Sequence, residues 1–515
     1  MLRSTQPSQS SRRLQNLLVL AFLLVLTGIT GVIVACSSGN NVITNSGMSQ
    51  VKVSISDPAT CAAPDGPYSA VWVTITDVQA NTSASAGDSD GGWVDLTPNL
   101  SKNNDAVQVN LLGEANNQCF LASLGDNSEL QAGSYQQIRI ILAQTTAGLT
   151  LSSGTSTSMN STDVCQGSGG ANCVVMGSGN SAQTYPLLLS SEAKTGLKIP
   201  SGQIAGGAFT ISAGQTEDLN IDFNTCSSIV REGNGQFRLK PVLHAGEVGT
   251  TSVSLNGKVT GAAGTPIAGA MVALEQPDPS GAKDASGNPI ERILMSTSTA
   301  SDGTWSICPV MVGDTTKPYD LVVTGADSNG VLYAPSIETG VSIGTTAGTV
   351  VLNASTLDNS VALSTATVTG QVTSVNSSMA ATVIDAQLSV LETVNSVDYT
   401  IPMPMTTTQS GGASLTVTTA PNTTQSPACN PTSTDCANYS IQVPALGAYF
   451  GAWSSTGATL TQPAVLPMYS IDGMATVSGS TSTADCTPSE VITSAGTLAG
   501  SPLTGTANLA FTGCQ

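Results

Sequence analysis

The chain has little charge, almost no histidine and no paired CxxC cysteines, and each shortage closes off a class of chemistry. Only 10% of its 515 residues are charged, with 34 acidic against 15 basic, a net of −19. Nucleic acid, which is gripped by lysine and arginine on its phosphates, is excluded as a partner on that balance. A single histidine, His244, leaves no material for a histidine-based catalytic constellation. Without CxxC spacing there is no closed zinc motif, so no metal and no cofactor are expected. What the chain does have is 52 Gly, long Ser- and Thr-rich stretches, and 40% hydrophobic residues set in short recurring apolar runs. Such runs build packed β-cores rather than disordered tracts.

Near the N-terminus, Arg12 and Arg13 precede an apolar run from Leu17 to Val34 that ends on Ile33-Val34-Ala35-Cys36. This resembles a bacterial lipoprotein signal with its lipobox. Residues 1–35 would be the signal peptide, Cys36 would carry the lipid, and 36–49 would be a flexible tether. An uncleaved anchor helix is the other reading, and both export everything that follows. Ser37 resembles an outer-membrane sorting signal, with the protein facing the periplasm or the cell surface. After cleavage the chain carries 12 basic and 34 acidic residues, a net of −22. Lipidation of Cys36 leaves ten of eleven cysteines, an even number that suits an oxidising compartment. Close neighbours suggest the pairs Cys165 with Cys173 and Cys429 with Cys436, and Cys486 with Cys514 would tie the chain end back on itself. Cys61 with Cys119 is favoured by adjacency alone, leaving Cys226 and Cys308 to bridge two domains or stay free.

The pattern along the chain is that of strands. Val51, Val53 and Ile55 alternate with polar residues, as do Val71, Val73 and Ile75, and Leu219, Ile221 and Phe223, each reading as a half-buried strand. Gly-containing turns at Asp90-Gly91-Gly92, Ala132-Gly133 and Ala213-Gly214 separate them, and no amphipathic helix stands out. The expected class is all-β, with tandem β-sandwich domains over 50–247, 252–360 and 366–515. The last two share an echo: Val368-Thr369-Gly370-Gln371-Val372 matches Leu255-Asn256-Gly257-Lys258-Val259, and Tyr439-Ser440-Ile441 matches Trp305-Ser306-Ile307. Tandem copies, the second degenerate, would account for it.

Six segments in order carry a family resemblance: Val71 to Val78, Gly92 to Leu96, Leu111 to Glu114, Ala132 to Arg139, Thr195 to Pro200, and Arg238 to Val242. Through them the first domain resembles a bacterial envelope family called domain of unknown function 4382. Pro266 with Gly269-Ala270, and the Asp302-Gly303 turn, make the second domain similar to the carboxypeptidase regulatory-like domain. That resemblance implies a transthyretin-like sandwich grouped with carbohydrate-binding-like folds. The segment from Glu275 to Glu291 departs from the pattern and enlarges a loop.

Motifs of catalysis fail on inspection. Gly340-Val341-Ser342-Ile343-Gly344 fits a nucleophile elbow, but no histidine follows it. Ser191-x-x-Lys194 and Lys194-Thr195-Gly196 share one lysine, so they cannot face each other across a cavity. Asp88-Ser89-Asp90-Gly91 lacks the distal glutamate of a calcium loop, and Met403 and Met405 lack a His or Cys to make a soft metal site. The four tryptophans, Trp72, Trp93, Trp305 and Trp453, would stack on sugars only if exposed, and their strand context favours the core. Arg139, Lys198 and Lys240 are cations within apolar strands that alternation brings towards Asp222. They are the candidate ligand-binding residues, for an anionic sugar or a peptide carboxylate. The sequence thus predicts a non-enzymatic envelope protein, held to the membrane by its lipid, that binds polysaccharide or another envelope component. A structural spacer or protein-docking module is the alternative, and a hydrolase of unknown type comes third.

Overall fold

The computed structural model describes residues 48–514 except for short internal segments, the longest being 113–121, 154–161, 353–364, 404–411 and 478–485. Cys36, the signal segment and the tether lie outside the described residues, as do Cys61, Cys119, Lys240 and Ser191 to Thr195. The described chain is almost entirely β. Its two α-helices, Pro98–Ser101 and Thr225–Ser228, are single turns. None of its helices is long and apolar enough to cross a membrane.

Three hydrophobic clusters organise it. The first fills the space between two sheets. One sheet runs Met311–Val312, Leu243–Val248, Thr216–Phe223, Met48–Ser56, Ala122–Gln131, with Met48–Ser56 parallel to Thr216–Phe223. The facing sheet is built around the long strand Gly66–Asn81. Val51, Val53, Ile55, Val71, Val73, Ile75, Leu219, Ile221 and Phe223 all point into this core. Alternation works because a period of two puts every second side chain on one face. The expectation of half-burial needs correction for Thr216–Phe223: Asn220 and Asp222, on its other face, are also buried. That face is covered from outside, where the turn Ser201–Gln203 and the strand Ile290–Ser298 pack near Leu243–Val248.

The middle body opens with Leu255–Gly261, flanked by antiparallel Thr304–Ile307 and parallel Thr346–Leu352. The C-terminal body opens with Thr365–Ser374, flanked by antiparallel Asp435–Pro444 and parallel Thr504–Thr506 and Leu509–Phe511. The registers correspond: Gly257 lies opposite Trp305, and Gly370 opposite Tyr439. In each pair the ring lies over the glycine, where a Cβ would stand 2.6 Å from a ring or hydroxyl atom. The echo in the sequence therefore corresponds to one three-strand arrangement with the same glycine–aromatic contact.

The bodies are joined by backbone. A ten-stranded sheet runs from the middle body into the C-terminal one, where Ile290 and Glu291 pair in parallel with Asp398 and Tyr399. A second crossing pairs Ser336–Val341 with Tyr449–Ala452. Met311–Val312 of the middle body extends the first sheet by pairing with Leu243–Val248. Disulfides link Cys165 to Cys173, Cys429 to Cys436 and Cys486 to Cys514, and Cys308 is also disulfide-bonded. Bonds in this number suit an extracellular or periplasmic setting.

Candidate functional site

Polar side chains gather in several places, and two of them are candidate sites. The first is a row across four strands of the first body, set by register: Lys198 opposite Arg139, Arg139 opposite Gln79, Gln79 opposite Asp95. Arg139 donates from Nε and Nη2 to Gln79 Oε1 at 2.8 and 2.5 Å, and its guanidinium lies 4.0 Å from the centre of the Trp93 ring. Gly196, at a left-handed φ of +126°, clears the space for this arginine, since a Cβ there would come within 3.1 Å of Arg139 Cδ. Gln79 in turn donates to Asp77 at 2.5 Å. Burial, then the neighbouring Asp95, pushes the Asp77 carboxyl up to about 7. Arg139 is thus held by local partners.

Lys198 and Arg139 do come together, but not with Asp222. The expected approach fails because Asp222 belongs to the other sheet, on the face away from the core. There it accepts a hydrogen bond from Ser56 at 3.2 Å and sits opposite His244 in register. Burial pushes Asp222 up to about 7 and His244 down to about 4. Asp222 Oδ2 and His244 Nδ1 have no partner. Trp305 is buried, and Trp72, Trp93 and Trp453 are partly buried, with Arg139 lying over the Trp93 ring.

The second place is a groove of about 680 Å³ that the sequence did not reveal as a unit. Its walls are the 202–210 turn of the first body and, from the middle body, the hairpin 276–292 and the turn 312–317. The hairpin is the enlarged segment noted in the sequence. Gln276 fastens the two middle-body walls: its side chain donates to the carbonyls of Asp314 and Lys317 at 3.0 and 3.1 Å and accepts from the Asp314 N–H at 2.8 Å. Gly313 is required beside it, because a Cβ would collide with Gln276 Oε1. Asp278 starts the hairpin tip by accepting from the Ser280 N–H and hydroxyl at 2.8 and 2.6 Å. Its other oxygen accepts from Arg292 Nε at 2.7 Å.

Arg292 is buried and spends its remaining nitrogens on Asp472 and Glu490 of the C-terminal body. Burial would raise Asp278, but Arg292 and Ser280 outweigh it and hold the carboxyl below its usual range. Burial and Asp472 carry Glu490 up to about 7 despite Arg292. The groove therefore offers an incoming ligand Glu247, Asp314, Lys283 and Lys317, backbone polar groups and small residues, while its arginine is already saturated. Its lining contains no His and no Cys. This mixed set of donors and acceptors suits a neutral polyhydroxylated ligand better than an anion, and the volume is that of small-molecule sites, about 300–1,000 Å³.

Gly340, at φ +73°, donates its N–H to Asp320 at 2.9 Å beside the end of a strand, and Asp302 closes a hairpin by accepting from Thr304. Met403 is buried, while Asp88 and Met405 lie outside the described residues.

No curated protein matches the chain. Among solved structures it is similar to the Bacillus anthracis TIE protein at 8% identity and a TM-score of 0.14, over 90% of this chain and 50% of that one. It thus spans about half the length of that protein. It is also similar to the shaft pilin SpaA from Lactobacillus rhamnosus GG, at 8% identity and a TM-score of 0.15, over 59% of this chain and 97% of the pilin. A streptococcal ancillary pilin matches at 9% identity and 0.15, over 90% and 99%. Likenesses this faint carry no argument about function. Residues 48–241, the body that bears the Lys198–Arg139–Gln79–Asp95 row, match the family described as Domain of unknown function (DUF4382).

Proposed function

We propose that this protein is a lipid-anchored, non-catalytic component of the bacterial envelope that binds a neutral carbohydrate in the groove between the first and middle bodies. The groove is the observation that carries the reading. It is large enough for a small-molecule ligand, it is lined by hydrogen-bonding groups of both kinds, and its buried arginine is already satisfied by three carboxylates. The disulfides suit an exported protein, and Cys36 is the anchor point of this reading. An anionic ligand on Arg139 and Lys198 is less well supported, because Arg139 already has Gln79 and Trp93.

The test is co-sedimentation of the full chain, in mild detergent, with cell-wall and exopolysaccharide fractions, with soluble glycan as competitor. Saturable, competed binding is expected. Ala282→Trp, which places an indole in the groove, is expected to lower affinity at least about tenfold, or about 1.4 kcal/mol. Binding indifferent to that substitution rejects the groove. Absence of any saturable binding favours the second reading, a rigid spacer, which rests on the continuous sheet joining the middle and C-terminal bodies.

A further inference from the structure

Acids crowd the line where the shared sheet passes between the middle and C-terminal bodies. Asp320 lies opposite Glu275, and Glu291 lies opposite Tyr399 across the parallel joint. Val397–Ile401 also approaches Tyr319–Thr324, which brings the Tyr399 hydroxyl towards Asp320. Glu275 accepts the Thr400 N–H at 3.2 Å, and the Thr400 hydroxyl donates to the Glu291 carbonyl at 2.6 Å. Glu275, Glu291, Asp320 and Tyr399 are all buried. Glu275 Oε1 and Glu291 Oε2 have no partner.

The charged groups facing this cluster do not neutralise it. Arg292, next along the strand, is committed to Asp278, Asp472 and Glu490. Lys317 reaches Glu291 only from the exposed rim, and Asp398 on the joint adds another acid, itself facing Asp284. Among the described residues no group of three or more His, Cys, Asp or Glu is set to hold a metal ion. An ionised carboxylate buried without a counter-charge is strongly disfavoured, and a proton removes that cost.

We propose that protons close this joint: Glu275, Glu291 and Asp320 enter it as neutral carboxylic acids packed beside Tyr399 and Thr400, and their ionisation releases Ile290–Ser298 from Val397–Ile401. The direction of each carboxyl agrees. Burial, then Glu291, lifts Glu275 well above its ordinary value; burial, then Asp320, lifts Glu291 from 4.5 to about 8 against Lys317. Burial lifts Asp320 against its hydrogen bonds from Gly340 and Tyr399. A carboxyl that binds its proton more tightly when folded stabilises the fold fully below its unfolded value. That contribution disappears as pH rises through the folded value, here about 8 for Glu291.

Hydrogen exchange of the full chain in detergent, corrected for intrinsic rates, reads the joint directly. Between about pH 6 and about pH 9, protection of the joint residues 290, 291 and 398–400 is expected to fall at least tenfold, while Gly66–Asn81 stays protected. Glu275→Gln with Glu291→Gln is expected to retain protection at the higher pH. Unchanged protection in the wild type, an equal loss in the double variant, or recovery at high pH on adding calcium or magnesium would each overturn the proposal. Should the double variant not fold, the infrared band of protonated carboxyl in the wild type decides. A component present near pH 7 and missing in Glu291→Gln alone supports the proton; its absence in the wild type overturns it.

Discussion

The middle and C-terminal bodies begin alike and part company at one hairpin. In the C-terminal body, Ile384–Val394 returns as Val397–Ile401 through Asn395 and Ser396 alone, both at positive φ, with Val394 paired to Val397. That is a two-residue turn whose twist suits the strands it joins. In the middle body the corresponding hairpin, Met271–Pro277 to Ile290–Ser298, is opened by the stretch 278–289, and this stretch forms a wall of the groove. One body closes its hairpin as tightly as a chain can. Its counterpart uses the same position to build a surface. The cost of the longer connection is small, because loop-closure entropy grows only with the logarithm of length. The Asp278–Arg292 pair and the Asx-type turn at Asp284, which accepts from the Ser286 and Asn288 N–H groups, hold its shape.

If the two bodies share one packing plan, the glycine under each aromatic ring is the place to break it. A Cβ at Gly370 would run into the Ala507 carbonyl, which is backbone and cannot swing aside, as well as Tyr439. At Gly257 the atoms it meets first all belong to the Trp305 side chain. Gly370→Ala is therefore expected to cost about 3 kcal/mol or more, and Gly257→Ala about 1–3 kcal/mol, by denaturant unfolding. Equal and negligible costs would mean that the glycine–aromatic register is incidental.

The next effect is on function. Replacing 278–289 by Asn-Gly, the turn sequence favoured for a two-residue hairpin, makes the middle body imitate its neighbour. The groove loses a wall, and glycan affinity is expected to fall at least about tenfold while strand content in circular dichroism is kept. Retained affinity would place any ligand elsewhere on the chain.

Much of this architecture could be read from the sequence, and the rest was hidden for physical reasons. Val51, Val53, Ile55, Val71, Val73 and Ile75 announce a two-sheet core, because alternation in a half-buried strand is a local signal. Burial of Asn220 and Asp222 is not local. It depends on which distant segment covers the outer face of their sheet, and so the grouping of Arg139 and Lys198 with Asp222 misplaced the acid. Parallel pairing of Ile290 and Glu291 with Asp398 and Tyr399 likewise leaves no mark in either segment. The groove joins three stretches far apart in the chain, yet one trace was visible. The segment from Glu275 to Glu291 stood out as a departure from the carboxypeptidase regulatory-like pattern that the surrounding sequence resembles, and it helps to wall the groove.

A subtler comparison concerns one buried acid in each body. Burial raises Glu338 to about 7 in the middle body. In the C-terminal body burial raises Glu392 to about 8, against the Ala448 N–H, which donates to it at 2.8 Å. Both folded values lie above the unfolded one, so each carboxyl's contribution is complete below about pH 4 and is lost as pH rises through about 7 and about 8 respectively. Glu338→Gln and Glu392→Gln should each flatten the decline of melting temperature with pH, the first from a lower pH than the second. Parallel curves for wild type and both variants would mean that neither acid carries its proton into the fold.

The smallest effect tests the tight turn itself. Ser396 holds a φ of 65° and Asn395 one of 52°. Asparagine tolerates the left-handed region, but serine has a Cβ and little compensation there. Glycine at 396 removes that strain and also gains freedom in the unfolded chain, which works against it. The two terms leave a net stabilisation for Ser396→Gly of a few tenths to about 1 kcal/mol, measurable as a shift in denaturant midpoint with an unchanged slope. The same exchange at Ser280 in the groove hairpin should go the other way. There the residue sits in a longer loop, and its hydroxyl donates to Asp278 at 2.6 Å, a contact glycine cannot make. A gain at 396 with a loss at 280 would show that the two hairpins, equivalent in position, are held by opposite means: backbone conformation in one, side-chain hydrogen bonds in the other.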